Sequence, residues 1–276
     1  MVQTSQWTKV EGWDLKEMLY EKNQTELGGI ARITFNRPDR LNAITSRGMK
    51  EIVDTVWDAG LDPAIGVVVL AGAGDTSWSA GGDVEWEQGW GDTKGPRDTP
   101  PVNDAILDCP KPGIAAVKGW CIGGGNHWAY CCDFTIAADN AKFGQNGPRV
   151  GSPADGYIVS YLAEVIGHKR AREMWMLCRR YTAQEAYEMG LVNKVVPVDK
   201  MDEEVEKWCR ELLSLSPTCL RIVKASFNAN IQHIRGTHNH FRKSLAPDFD
   251  GSAEQREAQK AFFERRPPDF RKFRGR

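Results

Sequence analysis

The chain of 276 residues is long enough for one large domain with its own hydrophobic core. Hydrophobic residues make up 41% and charged residues 26% of it, a composition typical of globular proteins and not of disordered or collagen-like chains. The 36 basic and 37 acidic side chains give a net charge of −1, so the chain has no general field that attracts nucleic acid or an anionic membrane. We therefore expect no nucleic-acid partner, and a local cluster of cations must hold any anionic ligand.

No segment approaches the roughly 20 consecutive apolar residues of a membrane-spanning helix. Residues 1–7 lack the charged and apolar regions of a signal peptide. Together these observations predict a cytoplasmic protein without a membrane partner. The seven cysteines are odd in number and none has C-x-x-C spacing, so we expect reduced thiols in the core.

The first predicted element is a strand at residues 30–35, where apolar residues alternate with a charged arginine. Apolar residues 49, 52, 53, 56 and 57 then fall on one helical stripe, which predicts an amphipathic helix after Thr45 or Ser46. The continuous apolar run at residues 65–70 is typical of a parallel strand that is buried on both faces.

The segment at residues 72–101 is rich in Gly, Asp, Trp and Pro. Because it is too long and irregular for an ordinary connection, we predict a functional loop or lid there. Two further apolar runs predict strands at residues 113–117 and 134–138. Between them a glycine triplet opens a segment of helical length at residues 126–132. Strands and helices are thus interleaved, which is the pattern of an α/β fold.

The later part of the chain has helical signals only. Thr182 and Glu185 have the spacing of a capping box, which predicts the start of a helix. Residues 201–213 and 217–229 have helical periodicity and length. We therefore expect an α/β core followed by a helical C-terminal region.

This change in composition predicts a core at residues 1–198 and a helical C-terminal region with a basic tail at residues 199–276. The last 12 residues, from Arg265, contain five Arg and one Lys against one Asp, a local net charge of +5. This tail is the clearest anion-binding stretch in the sequence.

Two other motifs have some features of ligand sites. Gly72-Ala73-Gly74 follows a strand, but the third glycine of a dinucleotide fingerprint is replaced by Ser77 and no helix pattern begins there. His238 and His240 have no nearby acidic or cysteine partners of matching spacing, so we expect no metal site.

A pair of glycine turns is the stronger signal. One contains Gly81 and Gly82, the other contains Gly123 and Gly124, and each follows a buried apolar strand. Glycine lets the backbone approach a ligand with its N–H groups exposed, and two N–H groups from separate loops can bind one oxygen. The pattern predicts an oxyanion hole, with two ordinary tight turns as the alternative.

These turns lie within four segments that carry a resemblance, namely Asn36-Arg37-Pro38 through Asn42-Ala43, Ser79-Ala80-Gly81-Gly82-Asp83, Lys111-Pro112 through Gly123-Gly124-Gly125, and Asp133 through Phe143-Gly144-Gln145. In this order they resemble the crotonase (enoyl-CoA hydratase/isomerase) superfamily over residues 16–276. Residues 143–152, 169–175, 189–193 and 266–270 are most similar to the branch of 1,4-dihydroxy-2-naphthoyl-CoA synthase and 2-ketocyclohexanecarboxyl-CoA hydrolase.

The resemblance implies an α/β fold, a spiral of ββα repeats with a C-terminal helical region, assembled as a homotrimer or homohexamer. It implies an acyl-CoA thioester as substrate and requires no other cofactor. The backbone N–H groups of Gly82 and Gly124 are expected to bind the thioester oxygen. One such donor is typically worth roughly 2.7–4 kcal/mol of the reaction barrier.

Departures from the superfamily pattern bear on the reaction. Hydratases carry two glutamates where this chain has His127 and Gly147, which argues against simple hydration. The similar branch has an acid where this chain has Ala154, followed by Asp155, and a tyrosine where it has Asp250. We expect His127, Asp155 and Asp250 to supply the acid and base, with a structural histidine and an ordinary turn aspartate as alternatives.

The remaining expected site residues contact substrate. Gln145, Gly147 and Trp175 match positions that cradle bicarbonate in one group of naphthoyl-CoA synthases, so bicarbonate is a candidate ligand, although Asn146 replaces the usual threonine. The alternatives are that Trp175 belongs to the core and that Gln145 only pairs with backbone groups. Either Trp86 and Trp90 hold a cyclic acyl group or they pack the loop onto the body. The other expected substrate contacts are Ala80 and Ser152 and, for the CoA phosphates, Arg37, Arg40, Arg271 and Lys272.

The sequence therefore predicts an enzyme that hydrolyses a ring carbon–carbon bond of a cyclic β-oxoacyl-CoA through a thioester enolate. The alternative is ring closure by a naphthoyl-CoA-type synthase, which needs the same oxyanion hole. A homologue that binds acyl-CoA or RNA without catalysis is the alternative from another class.

Overall fold

The computed structural model describes residues 7–90, 102–154, 156–235 and 244–274. Its strands are β1 (Thr8–Lys9), β2 (Met18–Thr25), β3 (Gly28–Phe35), β4 (Ile65–Gly72), β5 (Ser77–Ser79), β6 (Gly113–Val117), β7 (Trp120–Ile122), β8 (Phe134–Ala138), β9 (Lys142–Gly144), β10 (Arg180–Thr182) and β11 (Lys194–Val196). The larger sheet has the order β1-β2-β3-β4-β6-β8-β11, and the smaller sheet has the order β10-β9-β7-β5.

The two sheets are mostly parallel. From β3 to β11 the strands of the larger sheet are parallel, and β1 and β2 add an antiparallel edge. In the smaller sheet β5, β7 and β9 are parallel, and β10 pairs antiparallel with β9. The buried run of β4, IGVVVLAG, agrees with a central parallel strand.

The helices are α1 (Ser46–Leu61), α2 (Val84–Trp90), α3 (Val102–Asp108), α4 (Gly124–Cys131), α5 (Gly147–Val150), α6 (Tyr157–Ile166), α7 (His168–Leu177), α8 (Ala183–Glu188), α9 (Met201–Leu213), α10 (Pro217–Arg235) and α11 (Ala253–Phe263). The pairs β4 and β5, β6 and β7, and β8 and β9 each contribute one strand to each sheet. A helix follows each pair, which confirms the expected spiral of ββα repeats with C-terminal helices.

Two apolar layers hold the spiral together. The main core lies around the fully buried Phe35 and Trp78, whose rings meet edge to face at 4.7 Å between centroids. A second layer covers the outer face of the larger sheet, where Val67 and Ile114 pack with Cys209 of α9. The C-terminal region is thus in contact with the sheet, and the division at residue 198 stays a prediction.

Several predicted elements are confirmed. The strands at residues 113–117 and 134–138 and the helix at residues 201–213 have the predicted bounds. The Thr182 hydroxyl accepts from the Glu185 N–H, and the Glu185 carboxylate accepts from the Thr182 N–H, as a capping box requires.

Other predictions need correction. The first long strand is β2, not β3, and the supposed loop after residue 72 contains β5 and α2, whereas residues 91–101 lie outside the described residues. All seven cysteines are free thiols, but Cys219 is exposed and is not part of the core. Within the described ranges, no helix is long and apolar enough to span a membrane.

Candidate active site

Three neighbouring strand ends define the candidate site. In the smaller sheet β5, β7 and β9 are adjacent and parallel, so their carboxyl ends lie at the same edge. The residues that follow are the Gly81-Gly82 turn after β5, Gly123 and Gly124 after β7, and Gln145 after β9. Ligands commonly bind at the carboxyl edge of parallel sheets. The two predicted glycine turns and Gln145 therefore lie at one edge.

The N–H of Gly82 faces away from the chain that supports its turn. Ile44 donates to Gly81 O at 2.9 Å and accepts from Asp83 N–H at 3.0 Å, so this parallel bridge uses the residues on either side of Gly82. In such a bridge the intervening residue directs its own N–H to the other side. Among the described residues nothing accepts from Gly82 N–H, which leaves this donor for a ligand.

The second donor comes from the start of α4. Gly124 is the first residue of this helix, and the first helical N–H to be bonded is that of His127, which donates to Gly123 O at 3.1 Å. The N–H of Gly124 has no acceptor in the described part of the chain, as expected at a helix N-terminus. A β-carbon at Gly81 would lie 2.6 Å from Gly124 N, so the two loops touch only because Gly81, with φ +87°, has no side chain.

A partly buried ion pair fixes the first turn. Arg37 Nη1 lies 3.0 Å from Asp83 Oδ2 and donates to Ala43 O at 2.7 Å. The other carboxylate oxygen of Asp83 accepts from the N–H groups of Glu85 and Trp86 and so caps α2. Asp83 is therefore a helix cap. Arg37 supports the turn, and its expected role in binding CoA phosphates stays a prediction.

His127 connects the β7 end of the site to the β9 end. Its Nε2 lies 3.2 Å from Gln145 Oε1, and its ring lies 5.2 Å from the Trp175 ring. Burial lowers the pKa of His127 to about 4, although the hydrogen bond to Gln145 acts in the opposite direction. The imidazole is thus neutral at pH 7. With Gln145 Oε1 facing Nε2, the tautomer that forms this hydrogen bond is the one protonated at Nε2, which has Nδ1 as its acceptor.

Two buried donors lie beside this histidine. Gln145 Nε2 and Trp175 Nε1 have no acceptor among the described residues, and Gln145 is 0% exposed. Burying a donor without an acceptor costs roughly 1–3 kcal/mol. An oxyanion accepts from both groups, so these residues fit bicarbonate or a carboxylate. No group of three His, Cys, Asp or Glu side chains in the described ranges can hold a metal ion.

Gly147 lies in a closed turn at the start of α5. The Ser152 N–H donates to Gly147 O at 3.1 Å, and a β-carbon on Gly147 would collide with the Ser152 carbonyl oxygen. Helix α11 packs on this turn, because Gln255 Nε2 donates to Gly151 O at 3.1 Å. The expected bicarbonate and substrate contacts Gly147 and Ser152 therefore follow the β9 end directly.

Glu87 is a candidate that the sequence interpretation missed. It lies in α2, and its carboxylate lies so near Gly82 that a β-carbon on that glycine would collide with Glu87 Oε1. The Glu87 N–H donates to Asp83 O at 2.9 Å, which ties this residue to the same turn. The sequence signal for this candidate is an acidic residue five positions after Gly82. It was missed because residues 72–101 were interpreted as a loop.

The structure brings some of the expected residues together and not others. Asp250 is exposed, and its predicted role is untested. Asp155 and the Trp90 side chain lie outside the described residues, as do His238 and His240.

The remaining expected contacts lie on two parts of the surface. Ala80 and Trp86 are half-buried beside the first turn. Arg40 forms an exposed ion pair with Glu85. In the tail, Arg271 pairs with Asp269 and Lys272 lies over the Phe273 ring.

Fold and site together define an enzyme class that processes acyl-CoA thioesters. The family model of enoyl-CoA hydratase/isomerase matches residues 24–273, so the chain belongs to that family. The predicted superfamily is thereby confirmed.

Solved structures agree. An enoyl-CoA hydratase/isomerase from Xanthobacter autotrophicus Py2 is 31% identical with a TM-score of 0.74, over 90% of this chain and 92% of that one. An enoyl-CoA hydratase from Mycobacterium avium subsp. paratuberculosis K-10 is 30% identical with a TM-score of 0.73, over 91% and 98%. A methylmalonyl-CoA decarboxylase in complex with 2-nitronate-propionyl-CoA, 23% identical with a TM-score of 0.78 over 90% and 97%, shares the fold.

Proposed function

We propose that this enzyme hydrolyses a ring carbon–carbon bond of a cyclic β-oxoacyl-CoA, within the ring-cleaving and ring-closing branch that its sequence resembles. The observation that carries the proposal is the donor pair of Gly82 and Gly124, combined with His127 and Gly147 at the positions of the hydratase glutamates. The pair suits a thioester enolate because negative charge develops on the thioester oxygen. The two replacements argue against water addition by a glutamate pair.

In the proposed reaction, the electron pair of the broken carbon–carbon bond is taken up by the thioester as an enolate. Hydroxide from water bonds to the ring carbonyl carbon, and the bond from that carbon to the α-carbon breaks. The electron pair becomes the thioester enolate, whose oxygen accepts from Gly82 and Gly124. The α-carbon then takes the proton that water lost, and the new carboxylic acid ionises. A proton carrier is therefore needed beside the oxyanion donors.

Glu87 is the acid–base group that we add to the expected set. Its carboxylate lies near Gly82, beside the oxygen that becomes negative. Nearby negative charge favours a protonated carboxyl group, so Glu87 can take the proton from water as the enolate forms and return it to carbon. His127 is neutral, and its Nδ1 is a hydrogen-bond acceptor for water or substrate. Further acid–base roles for Asp155 and Asp250 remain part of the proposal.

Ring closure by a naphthoyl-CoA-type synthase is the second candidate. It is favoured by the two unpartnered donors Gln145 Nε2 and Trp175 Nε1, which suit bicarbonate. When bound there with Gly147, bicarbonate supplies a base. This chain would hold it through those two N–H groups. Asn146 replaces the threonine that is usual at its position.

Assembly and CoA binding complete the proposal. Helix α10 exposes Ile222, Val223 and Phe227. A homotrimer or homohexamer in which a neighbouring subunit covers this apolar face is therefore proposed.

Arg40, with Arg271 and Lys272 of this or a neighbouring subunit, is proposed to bind the CoA phosphates. We also propose a cytoplasmic location. Binding of acyl-CoA without turnover would instead favour the non-catalytic alternative.

The test uses a six-membered cyclic 2-oxoacyl-CoA in water enriched in heavy oxygen. We expect an open-chain dicarboxylic mono-CoA thioester with one label in the new carboxylate, identified by mass spectrometry. Gly82→Pro is the matched control, since it lacks one oxyanion donor. Failure to open the ring, together with closure of a succinylbenzoyl-type CoA thioester, would overturn the hydrolase assignment in favour of the synthase.

A further inference from the structure

Two buried serines lie on the same face of β5. Side chains alternate along a strand, so Ser77 and Ser79 share one side, whereas Trp78 packs into the main core. Ser77 is 2% exposed and Ser79 is 0% exposed. The Ser77 hydroxyl lies 2.8 Å from Leu41 O and 3.1 Å from Trp120 O. The side chain of Ser77 therefore ties β5 to segments outside the two glycine turns.

The Ser79 hydroxyl, in contrast, bonds to the first glycine turn. It donates to Asn42 O at 2.8 Å and accepts from the Gly81 N–H at 3.1 Å. Because its one proton goes to Asn42, a lone pair remains for Gly81. Asn42 is itself fully buried and fixed, since its Nδ2 donates to Ser77 O at 2.6 Å and its Oδ1 accepts from Arg37 N–H at 2.9 Å. A chain of buried hydrogen bonds thus holds the Gly81 N–H.

Gly81 controls the direction of the Gly82 N–H. The Gly81 carbonyl and the Gly82 N–H belong to one planar peptide group and point in opposite directions. Ile44 N–H donates to that carbonyl at 2.9 Å, whereas Ser79 holds the N–H on the other side of Gly81. Glycine by itself accepts many backbone angles, and Gly81 has a φ of +87°. The two hydrogen bonds together fix this glycine, and only the bond from Ser79 depends on a side chain.

Ser79 also supports the second donor. A β-carbon on Gly125 would collide with the Ser79 carbonyl oxygen and would lie 2.9 Å from Ser79 Cβ. The first turn of α4, which begins at Gly124, therefore packs directly on this serine. One residue thus touches the segments that carry both oxyanion donors.

We propose that Ser79 is a positioning residue for the oxyanion hole, which directs the Gly82 N–H through its hydrogen bond to Gly81. The inference rests on the donor pair of the proposed function but not on ring cleavage. Preorganised donors stabilise an oxyanion because they need not reorient when the charge develops. Loss of the hydroxyl leaves the buried Gly81 N–H without its acceptor, which favours rotation of the turn and misdirects the Gly82 N–H.

Binding of an enolate analogue tests this without requiring turnover. The nitronate of 2-nitropropionyl-CoA carries the negative charge of an enolate, and isobutyryl-CoA is a neutral ligand of similar size. Isothermal titration calorimetry gives the ratio of the two Kd values, in which the affinity for the CoA portion cancels. The wild type should prefer the nitronate at least about a hundredfold, as expected for an analogue of a charged transition state. Ser79→Ala should lower this preference about tenfold, the effect of one misdirected bond to a charged oxygen.

Ser77→Ala is the matched control, because it removes a similarly buried hydroxyl from the same strand without changing a contact to either glycine turn. It should keep the wild-type preference. Ser79→Cys retains the size of the side chain but offers only a weak acceptor, so it should lose most of the preference. Melting curves verify that the variants are folded, and Ser79→Cys provides the same test if Ser79→Ala does not fold.

The proposal is overturned if the folded Ser79 variants keep the wild-type preference, or if Ser77→Ala loses it equally. A wild type that shows no preference overturns the donor pair as well, whereas an unchanged preference in the Ser79 variants overturns only the role of this serine. Ring opening is measured separately with labelled water, so a wrong reaction assignment is recognised independently of these titrations.

Discussion

Lys224 donates a hydrogen bond to Asp133 at 2.7 Å, although the lysine side chain is only 7% exposed. The same ammonium donates to Lys111 O at 2.9 Å, and the same carboxylate oxygen accepts from Gly113 N–H at 2.7 Å. Helix α10 is thereby tied to the start of β6 and to the residue before β8. This contact fixes the helical C-terminal region to the larger sheet.

Lys224→Met should lower the free energy of unfolding by about 3 kcal/mol, because it leaves Asp133 without its cation in a partly buried position. Urea unfolding measures the change. Lys207→Met is the control, since this lysine is exposed and 3.7 Å from Glu204, and it should change stability by less than about 0.5 kcal/mol. Equal stability of the two variants would contradict a structural role for the contact between Lys224 and Asp133.

Gly82→Pro should lower turnover at least about a hundredfold, because it removes one oxyanion donor while CoA-thioester binding persists. Steady-state kinetics and calorimetry measure the two properties. Gly82→Ala keeps the N–H but displaces the Glu87 carboxylate. It should therefore lower turnover no further than Glu87→Gln does. Wild-type turnover in a folded Gly82→Pro enzyme rules out the donor assignment.

Glu87→Gln should lower kcat at least about a hundredfold with little change in KM, since the amide cannot carry the proton. The matched control is Glu85→Gln on the same helix, where the side chain is exposed and pairs with Arg40. The control should leave kcat within about twofold, as expected for an exposed ion pair. If both variants turn over equally, Glu87 is not the proton carrier.

His127 should make stability depend on pH. The pKa of this side chain is about 4 in the folded chain against 6.5 for an unperturbed histidine. The unfolded state therefore binds the extra proton between these values, and acidification destabilises the fold there. From pH 7 to pH 5 the loss should be about 2 kcal/mol larger in the wild type than in His127→Gln. Urea unfolding at both pH values checks this.

The exposed His168 provides the comparison for that experiment. His168→Gln should follow the wild-type loss of stability on acidification. A wild type and a His127→Gln variant with parallel pH dependence would show that the imidazole is not buried in its neutral form.

Arg271→Ala with Lys272→Ala should raise the Kd for CoA thioesters about tenfold at low salt, and less at high salt. This double variant is preferable to deletion of the tail. Arg266 pairs with Glu257 at 2.7 Å and lowers the pKa of that carboxyl to about 2, and Phe273 is buried, so both anchor the tail. Lys260→Ala is the control, because the side chain of this α11 residue is exposed. Unchanged affinity in the double variant means that these cations do not bind CoA.

Sequence reasoning located the elements that have long apolar runs, such as β6 and β8. It missed β5 and β7, because strands of three residues are too short to show a period of two. It also missed β2, where charged residues at 21 and 22 interrupt the apolar pattern. The short strands nevertheless fix the site, since their ends carry Gly82 and Gly124.

The site itself was predicted in part. The two glycine turns could be found because each has a local motif, and the resemblance indicated Gln145 and Trp175. The position of Glu87 beside Gly82 depends on where α2 begins, and the contact of His127 with Gln145 depends on the register of β7 against β9. Neither follows from residue types, because both depend on how separate segments pack.

The closed turn between Gly147 and Ser152 limits how this chain can diverge further. A side chain at Gly147 requires the Ser152 carbonyl to move first. The second glutamate of the superfamily's hydratases is therefore inaccessible by one substitution, whereas residue 127 already bears a side chain. Glutamates at positions 127 and 147 alone therefore cannot introduce the hydratase pair into this chain, because the path of the Ser152 backbone must change as well.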